Sequence, residues 1–174
     1  MSRPEAGKAR DYIGRNLHQQ AAMGIPEPTL PGEFPLTSAV PLIVLDTNVV
    51  LDWLVFGDRF AAPLGRAIGE RRVQWVATAS MREEFVQVLA KPELVRNAGL
   101  NPAPLTVWDA LALQWPAPTE CATRCRDATD QMFIDLALAA RARWLVTRDR
   151  ALLDLAKQAS IAGTYILRPR EWIA

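Results

Sequence analysis

Apolar positions alternate between two rhythms along this chain. Pro41 to Asp46 is continuously apolar until its last residue, the mark of a strand buried on both faces. Asn48 then stands where it can cap a helix running through Val50 and Leu54. Phe60 to Arg71 reads as a helix and Val73 to Ala77 as a second buried strand. Ser80-Met81-Arg82-Glu83 has the spacing of a capping box and starts a helix that Lys91-Pro92 ends. Further along, the pattern predicts a helix over Pro102–Trp115, a short strand near Glu120-Cys121-Ala122, and a helix over Asp130–Arg141. A strand over Arg143–Thr147, a helix over Arg150–Gln158 and a last strand over Thr164–Leu167 complete it. Strand alternating with helix is the pattern of an α/β domain, a parallel sheet covered on both faces.

The first 40 residues follow neither rhythm. Five of the thirteen prolines fall there, at Pro4, Pro26, Pro28, Pro31 and Pro35. Glu5 to Met23 is expected to be helical, with Tyr12, Ile13 and Leu17 as a thin apolar stripe, followed by an extended Pro-rich linker. The chain therefore divides into an N-terminal extension, 1–40, and a body, 41–174.

Composition narrows the chemistry. Half of the 174 residues are hydrophobic, enough for a real core. No apolar run approaches the roughly 18 residues of a membrane span. Arg10, Asp11 and Arg15 interrupt any secretory apolar block, so the expected location is cytoplasmic and away from membranes. Cys121 and Cys125 have no neighbouring ligand and read as reduced thiols rather than a zinc site. A net charge of +1 gives no global field toward nucleic acid, which argues against an architectural DNA binder but not against a nuclease. His18 is the only histidine and lies in the extension, so a His-based acid–base or triad mechanism has little support. Carboxylates must carry the chemistry.

Four of them stand where a strand gives way to a helix or where a helix begins: Asp46, Glu84, Asp130 and Asp149. In open α/β sheets ligands collect at the carboxyl ends of the strands. Carboxylates gathered there raise one another's pKa unless a cation neutralises them, and magnesium or manganese is the natural choice for oxygen donors. At about 100° per residue, Met81, Phe85, Val88 and Leu89 share an arc that Glu84 borders, while Glu83 lies nearly opposite. The same arithmetic groups Asp130 with Phe133, Ile134 and Ala137 and turns Gln131 and Asp135 toward solvent. Asp127 either caps the turn before Asp130 or assists as an outer ligand. Arg141, Arg143, Arg148 and Arg150 cluster around Asp149 in sequence, with Arg148 and Arg150 as candidate phosphate contacts. Each acid alone also fits a turn or capping role; four together point to a metal-assisted hydrolase acting on an anion.

These motifs resemble the PIN-domain ribonuclease family. The resemblance is carried by Val44-Leu45-Asp46-Thr47-Asn48, by Glu83-Glu84-Phe85, by Asp127-Ala128-Thr129-Asp130-Gln131-Met132-Phe133 and by Leu145-Val146-Thr147-Arg148-Asp149. It covers about residues 41–170 and is closest to the toxin branch of prokaryotic toxin–antitoxin pairs. It implies a three-layer α/β/α sandwich with a five-stranded parallel sheet and a magnesium- or manganese-dependent endoribonuclease acting on RNA. Family acidic positions map onto Asp46, Glu84, Asp130 and Asp149, with Asp127 accessory and Asn48 and Thr147 orienting the site. It also implies an antitoxin protein as partner. The extension departs from the family, whose members usually begin near the first strand. Two other enzyme classes lack their residues here. A haloacid-dehalogenase-like phosphatase needs a second Asp where Asn48 stands, and Rossmann or P-loop enzymes need a Gly-rich loop. The alternative in a different class is a PIN-fold module that binds RNA or a protein with little or no catalysis.

The extension's stripe is too thin for its helix to persist alone. We expect it to dock on a neighbouring subunit in a homodimer, covering apolar surface such as Trp53 or Trp108, with docking back on its own body as the alternative. Light scattering on the full chain and on one beginning at Thr37 checks this: truncation should convert dimer to monomer. An unchanged state rejects the swapped arm.

Overall fold

The computed structural model describes residues 40–91 and 104–173. The predicted amino-terminal helix, the Pro-rich linker and the segment 92–103 lie outside the described residues.

Five short strands form one sheet: β1 (Leu42–Leu45), β2 (Gln74–Ala77), β3 (Leu113–Gln114), β4 (Trp144–Val146) and β5 (Tyr165–Leu167). Their order is β3-β2-β1-β4-β5, and every neighbouring pair is parallel. Ile43 lies beside Trp144, and Trp144 beside Tyr165, so the strands are in step across the sheet. Parallel neighbours need crossovers, which here are helical. α1 (Thr47–Leu54) and α2 (Ala62–Gly69) lead from β1 to β2. α3 (Ala79–Leu89) and α4 (Pro104–Leu111) lie between β2 and β3, and α5 (Gln131–Ala139) between β3 and β4. α6 (Arg150–Leu153) and α7 (Ala156–Ile161) precede β5, and a 3-10 turn follows at Pro169–Glu171. This is the expected α/β/α sandwich. None of the helices among the described residues is long and apolar enough to cross a membrane.

The central strands are buried on both faces, with Ile43, Val44, Trp75, Val76, Leu145 and Val146 fully enclosed. An aromatic row fills one part of the core. Trp53 meets Trp75 edge-on at 5.9 Å, Trp75 meets Trp108 at 4.6 Å, and Trp108 stacks on Phe85 at 5.0 Å. Trp108 is 3% exposed, so it is not the open apolar surface that the swapped-arm expectation required of it.

Three local expectations are corrected. The third strand is Leu113–Gln114, inside the stretch expected to be helical, and not Glu120–Ala122. The amide of Trp115 extends its ladder to the Ala77 carbonyl at 2.7 Å, and Pro116, with no N–H to donate, follows at once. The cap of α3 is Thr78 rather than Ser80: the Thr78 Oγ1 accepts from the Met81 amide at 3.4 Å. Thr78 is the first residue past β2 and has the extended backbone a cap needs, which leaves Glu83 exposed with no part in the capping box. Likewise Asp46, not Asn48, caps α1.

Strand direction also sorts the arginines. Arg71, Arg72, Arg141 and Arg143 precede β2 and β4 and lie at the amino ends of the strands. Arg141 and Arg143 are thus separated from Asp149 by the length of β4, against the expectation that they surround it. Arg71 and Arg141 take left-handed backbone, with φ of 56° and 51°, each turning the chain from a helix into the next strand.

Gly65 in α2 lies against the Trp53 indole, and a Cβ there would meet Trp53 Nε1 at 2.0 Å. Gly65→Ala should therefore lower stability by about 1–3 kcal/mol through overpacking, despite the higher helix propensity of alanine. Urea denaturation followed by tryptophan fluorescence measures it; a variant as stable as wild type would show that Trp53 swings away freely.

Candidate metal-binding active site

The sheet reverses its winding between β1 and β4, because the chain leaves β1 toward β2 on one side and returns to β4 on the other. A crevice opens at the carboxyl ends of two such strands. Asp46 ends β1 there, and Thr147 and Asp149 follow β4. Asp130 opens α5, which packs on both strands. Glu84 comes from the second turn of α3. All four predicted acids are thus delivered to the same edge of the sheet.

Two threonines set the carboxylates. The Thr147 hydroxyl donates to Asp46 Oδ2 at 2.7 Å while its oxygen accepts the Asp149 amide at 2.9 Å, so one buried side chain ties β1 to the β4 loop. The Thr47 hydroxyl donates to Glu84 Oε2 at 2.8 Å, joining α1 to α3. Asp46 Oδ1 accepts the Asn48 amide at 3.1 Å, and Asp149 Oδ1 accepts the Ala151 amide at 2.5 Å. The capping role and a place in the cleft therefore coexist at Asp46 and Asp149. Asp130 makes no side-chain cap bond to its own helix. Capping does not account for its carboxylate.

Electrostatics separates the four further. Burial pushes the Asp46 carboxyl up, against the Thr147 and Asn48 hydrogen bonds, and Asp149 adds to the rise. Burial also raises Glu84, opposed by the Thr47 hydroxyl and reinforced by Asp46. Asp130 is raised to about 7, first by burial and then by the charges of Asp149, Asp46, Asp127 and Glu84. One carboxyl feels all the others. Asp127 itself is exposed, and its carboxylate, bonded to the hydroxyl and amide of Thr129, is held low.

The donor set fits a hard divalent cation: it is all oxygen, rich in negative charge, and its most perturbed member is raised in part by like charge. Among the described residues no three His, Cys, Asp or Glu side chains are already set to hold a metal ion. The carboxylates point into separate hydrogen bonds, to Thr147, Thr47 and Ala151, rather than at one centre.

Three candidates do not reach into the cleft. Asn48 is exposed and meets Asp46 only through its backbone. Arg148 turns from the cleft, with its guanidinium 2.7 Å from Asp52 and 3.2 Å from Asp58. The Arg148 contact is out of line for a hydrogen bond, so the buried Asp52 Oδ2 has charge beside it but no directed donor. Arg150 extends into solvent.

Asp135 corrects the helical arithmetic. It is 5% exposed, not solvent-facing, and its Oδ1 accepts from the Cys121 amide and from Gln131 Nε2, each at 2.8 Å. Gln131 also bonds the Thr123 carbonyl and the Cys125 amide. The segment before α5 folds over the outer face of that helix and buries it. Periodicity within the helix carried no sign of this cover. Cys121 and Cys125 belong to it as free thiols, both raised mainly by burial. Sequence reading also missed Thr47, whose only signal was its place directly after Asp46.

The raised Asp130 gives a pH prediction. Its folded pKa, about 7, exceeds the ordinary 3.8, so the folded state holds the proton more tightly. Its contribution to stability is present at low pH and declines as pH rises from about 4 to about 7. Asp130→Asn removes that loss and, allowing for solvent screening, should stabilise by about 1 kcal/mol at pH 8 and by little at pH 4.5. Urea titrations in EDTA at both pH values measure it. An equal effect at both would show that Asp130 is not perturbed.

A comparison with protein-family models matches the PIN domain over residues 42–151, from the start of β1 past Asp149. No curated protein matches the chain. The match covers well over half of the sequence and takes in all four acids of the cleft. By that match the chain belongs to the PIN-domain family, whose fold is of the nuclease type, and the five-stranded parallel sheet agrees with it.

Proposed function

We propose that this protein is a divalent-metal-dependent endoribonuclease, with Asp46, Glu84, Asp130 and Asp149 holding magnesium or manganese and Asp127 as an accessory. The observation that supports the reading is that four carboxylates from distant parts of the chain stand toward the carboxyl end of the sheet, where the charges of Asp149, Asp46 and Glu84 all act on Asp130. A bound cation supplies a water of lowered pKa and charge stabilisation at the phosphodiester. The chain's own residues do the rest. The Thr147 Oγ1 proton fixes Asp46 Oδ2 and its oxygen fixes the Asp149 backbone, so the two central acids keep their relative position. Thr47 Oγ1 does the same for Glu84. Near neutral pH Asp130 passes between protonated and charged forms, which makes the charge of the cleft responsive to what binds there.

RNA as substrate, and a toxin role with a partner antitoxin, rest on the likeness of the four motifs to toxin nucleases. The second reading, a PIN-fold module that binds RNA or protein without cutting, draws on the absence of a preset three-ligand group among the described residues. Mixed RNA incubated with manganese should be cleaved, and EDTA should stop it. Asp46→Asn or Asp149→Asn should lower the rate by roughly a hundredfold or more, since several kcal/mol of transition-state stabilisation pass through such ligands. Thr147→Val should cost about tenfold as an outer-shell loss. Circular dichroism should show all three folded. Cleavage that survives EDTA would sink the metal reading, and absence of cleavage by wild type would favour the binding module. Growth arrest on expression, relieved by a small protein encoded next to it, tests the toxin role.

A further inference from the structure

We propose that the β4–β5 rim of the acidic cleft is the surface that grips the RNA phosphate backbone, through Arg126, Arg150, Arg168 and Arg170. This rests on the nuclease reading above and adds the side from which the substrate is held. A cleft lined by carboxylates repels a polyanion, so affinity must come from cations beside it.

Several arginines on the described surface are already matched by acids. Arg148 is shared between Asp52 and Asp58, Arg82 bonds both oxygens of Asp109, and Arg124 pairs with Glu120. Two places differ. Arg126 and Arg150 share the single carboxylate of Asp154, at 3.5 and 3.9 Å. Arg168 and Arg170 share Glu171, at 3.6 and 3.7 Å. Each is two guanidiniums on one shared acid; Asp127 also lies under the charge of Arg126, so the surplus positive charge is clearest at Arg168 and Arg170. The separations are long and the side chains solvent-exposed, up to 83% at Arg150. Such pairs are weak, so a phosphate can replace the carboxylate at little cost and gain the forked geometry that guanidinium offers.

Position joins the two surpluses. Arg126 directly precedes Asp127, and Arg150 directly follows Asp149. Arg168 follows β5, whose Leu167 carbonyl accepts the Thr147 amide at 3.0 Å. Both pairs therefore border the carboxyl end of β4, while Arg82, on the β2 side, is paired with Asp109. The RNA strand lies across the ends of β4 and β5 and presents its phosphate to Asp149 and Asp46 from that side.

The test is fluorescence anisotropy of a labelled single-stranded oligouridylate in EDTA, over a range of salt. Arg126→Gln/Arg150→Gln and Arg168→Gln/Arg170→Gln should each weaken binding about tenfold and reduce the salt slope by about one to two. Arg126→Lys/Arg150→Lys should restore most of the affinity, since it keeps the surplus charge. Arg71→Gln/Arg143→Gln, at the opposite end of the strands, should stay within about twofold of wild type. Equal losses at the two ends, or wild-type binding by the rim variants, overturn the rim. If wild type cleaves RNA while the rim variants bind normally, only the rim fails. If binding depends on the rim but manganese brings no cleavage, the nuclease reading fails and the rim stands. A wild type that binds no RNA overturns both.

Discussion

A parallel strand cannot be followed by a tight turn; the chain must cross over and re-enter the sheet from the edge where it began. In this protein that constraint sends the residue after every strand to one edge. Asp46, Thr78, Trp115, Thr147 and Arg168 all leave the sheet in the same direction. The helices that follow β1, β2 and β4 start at that edge, and α5, which leads down toward β4, starts there as well. The acids therefore meet without any special contact to bring them together. What sequence supplies is a short polar side chain at each exit, and topology supplies the convergence. The winding order then chooses the spot, since only between β1 and β4 do the connections part and leave the strand ends uncovered.

Convergence has a cost, and its distribution is informative. Asp46 is almost wholly buried, yet it receives a hydroxyl and a backbone amide, so its charge is partly offset by bonds the fold itself makes. Asp130 has no such cap bond and is surrounded by other acids. The electrostatic strain is therefore concentrated on the residue least committed to structure. A group raised by like charge is the one most relieved when a cation arrives, and helix-capping acids such as Asp46 and Asp149 are the ones that stay in place meanwhile. On the proposed metal-dependent reading, fixed acids and one responsive acid suit a cation better than four equally strained ones, because binding would relieve repulsion without moving the backbone. The aromatic row from the partly buried Trp53 to the buried Phe85 packs in and against the core.

The legibility of each element followed from where its determining contacts lie. Asp46 and Asp149 could be read from sequence because a buried apolar run and the polar residue that ends it are adjacent in the chain. Glu84 was readable from helical phase: α3 has one enclosed face, with Met81 and Phe85 buried and Glu83 exposed, so the arithmetic held. The same arithmetic failed in α5, where Phe133 through Ala137 are all buried. There the outer face is closed by the segment of Cys121, Thr123 and Cys125, held through Gln131 and Asp135 of the helix, and a covering loop leaves no periodic trace in the helix it covers. Strand β3 was misplaced for a related reason. It is only two residues long, it ends a helical stretch, and its partner Ala77 lies far back in the chain. Arg148 was read as a phosphate contact because it stands next to Asp149, but Asp52 and Asp58, from the first crossover, take its charge.

The treatment of arginines follows from the same topology. With a net charge of +1 the molecule has no overall pull on a polyanion, so any attraction must be local. Arginines that enter strands from below, such as Arg71 and Arg141, take left-handed backbone to make the helix-to-strand turn. Their conformation answers a chain-reversal need, and they stand at the far end of the sheet from the acids. Arginines that leave strands from above stand beside the acids, where charge has chemical consequence. Sequence proximity mixes the two sets, because Arg143 and Arg148 are close in number although β4 separates them. Strand direction separates them, and so it is direction, more than the count of basic residues, that decides which arginines stand beside the acids.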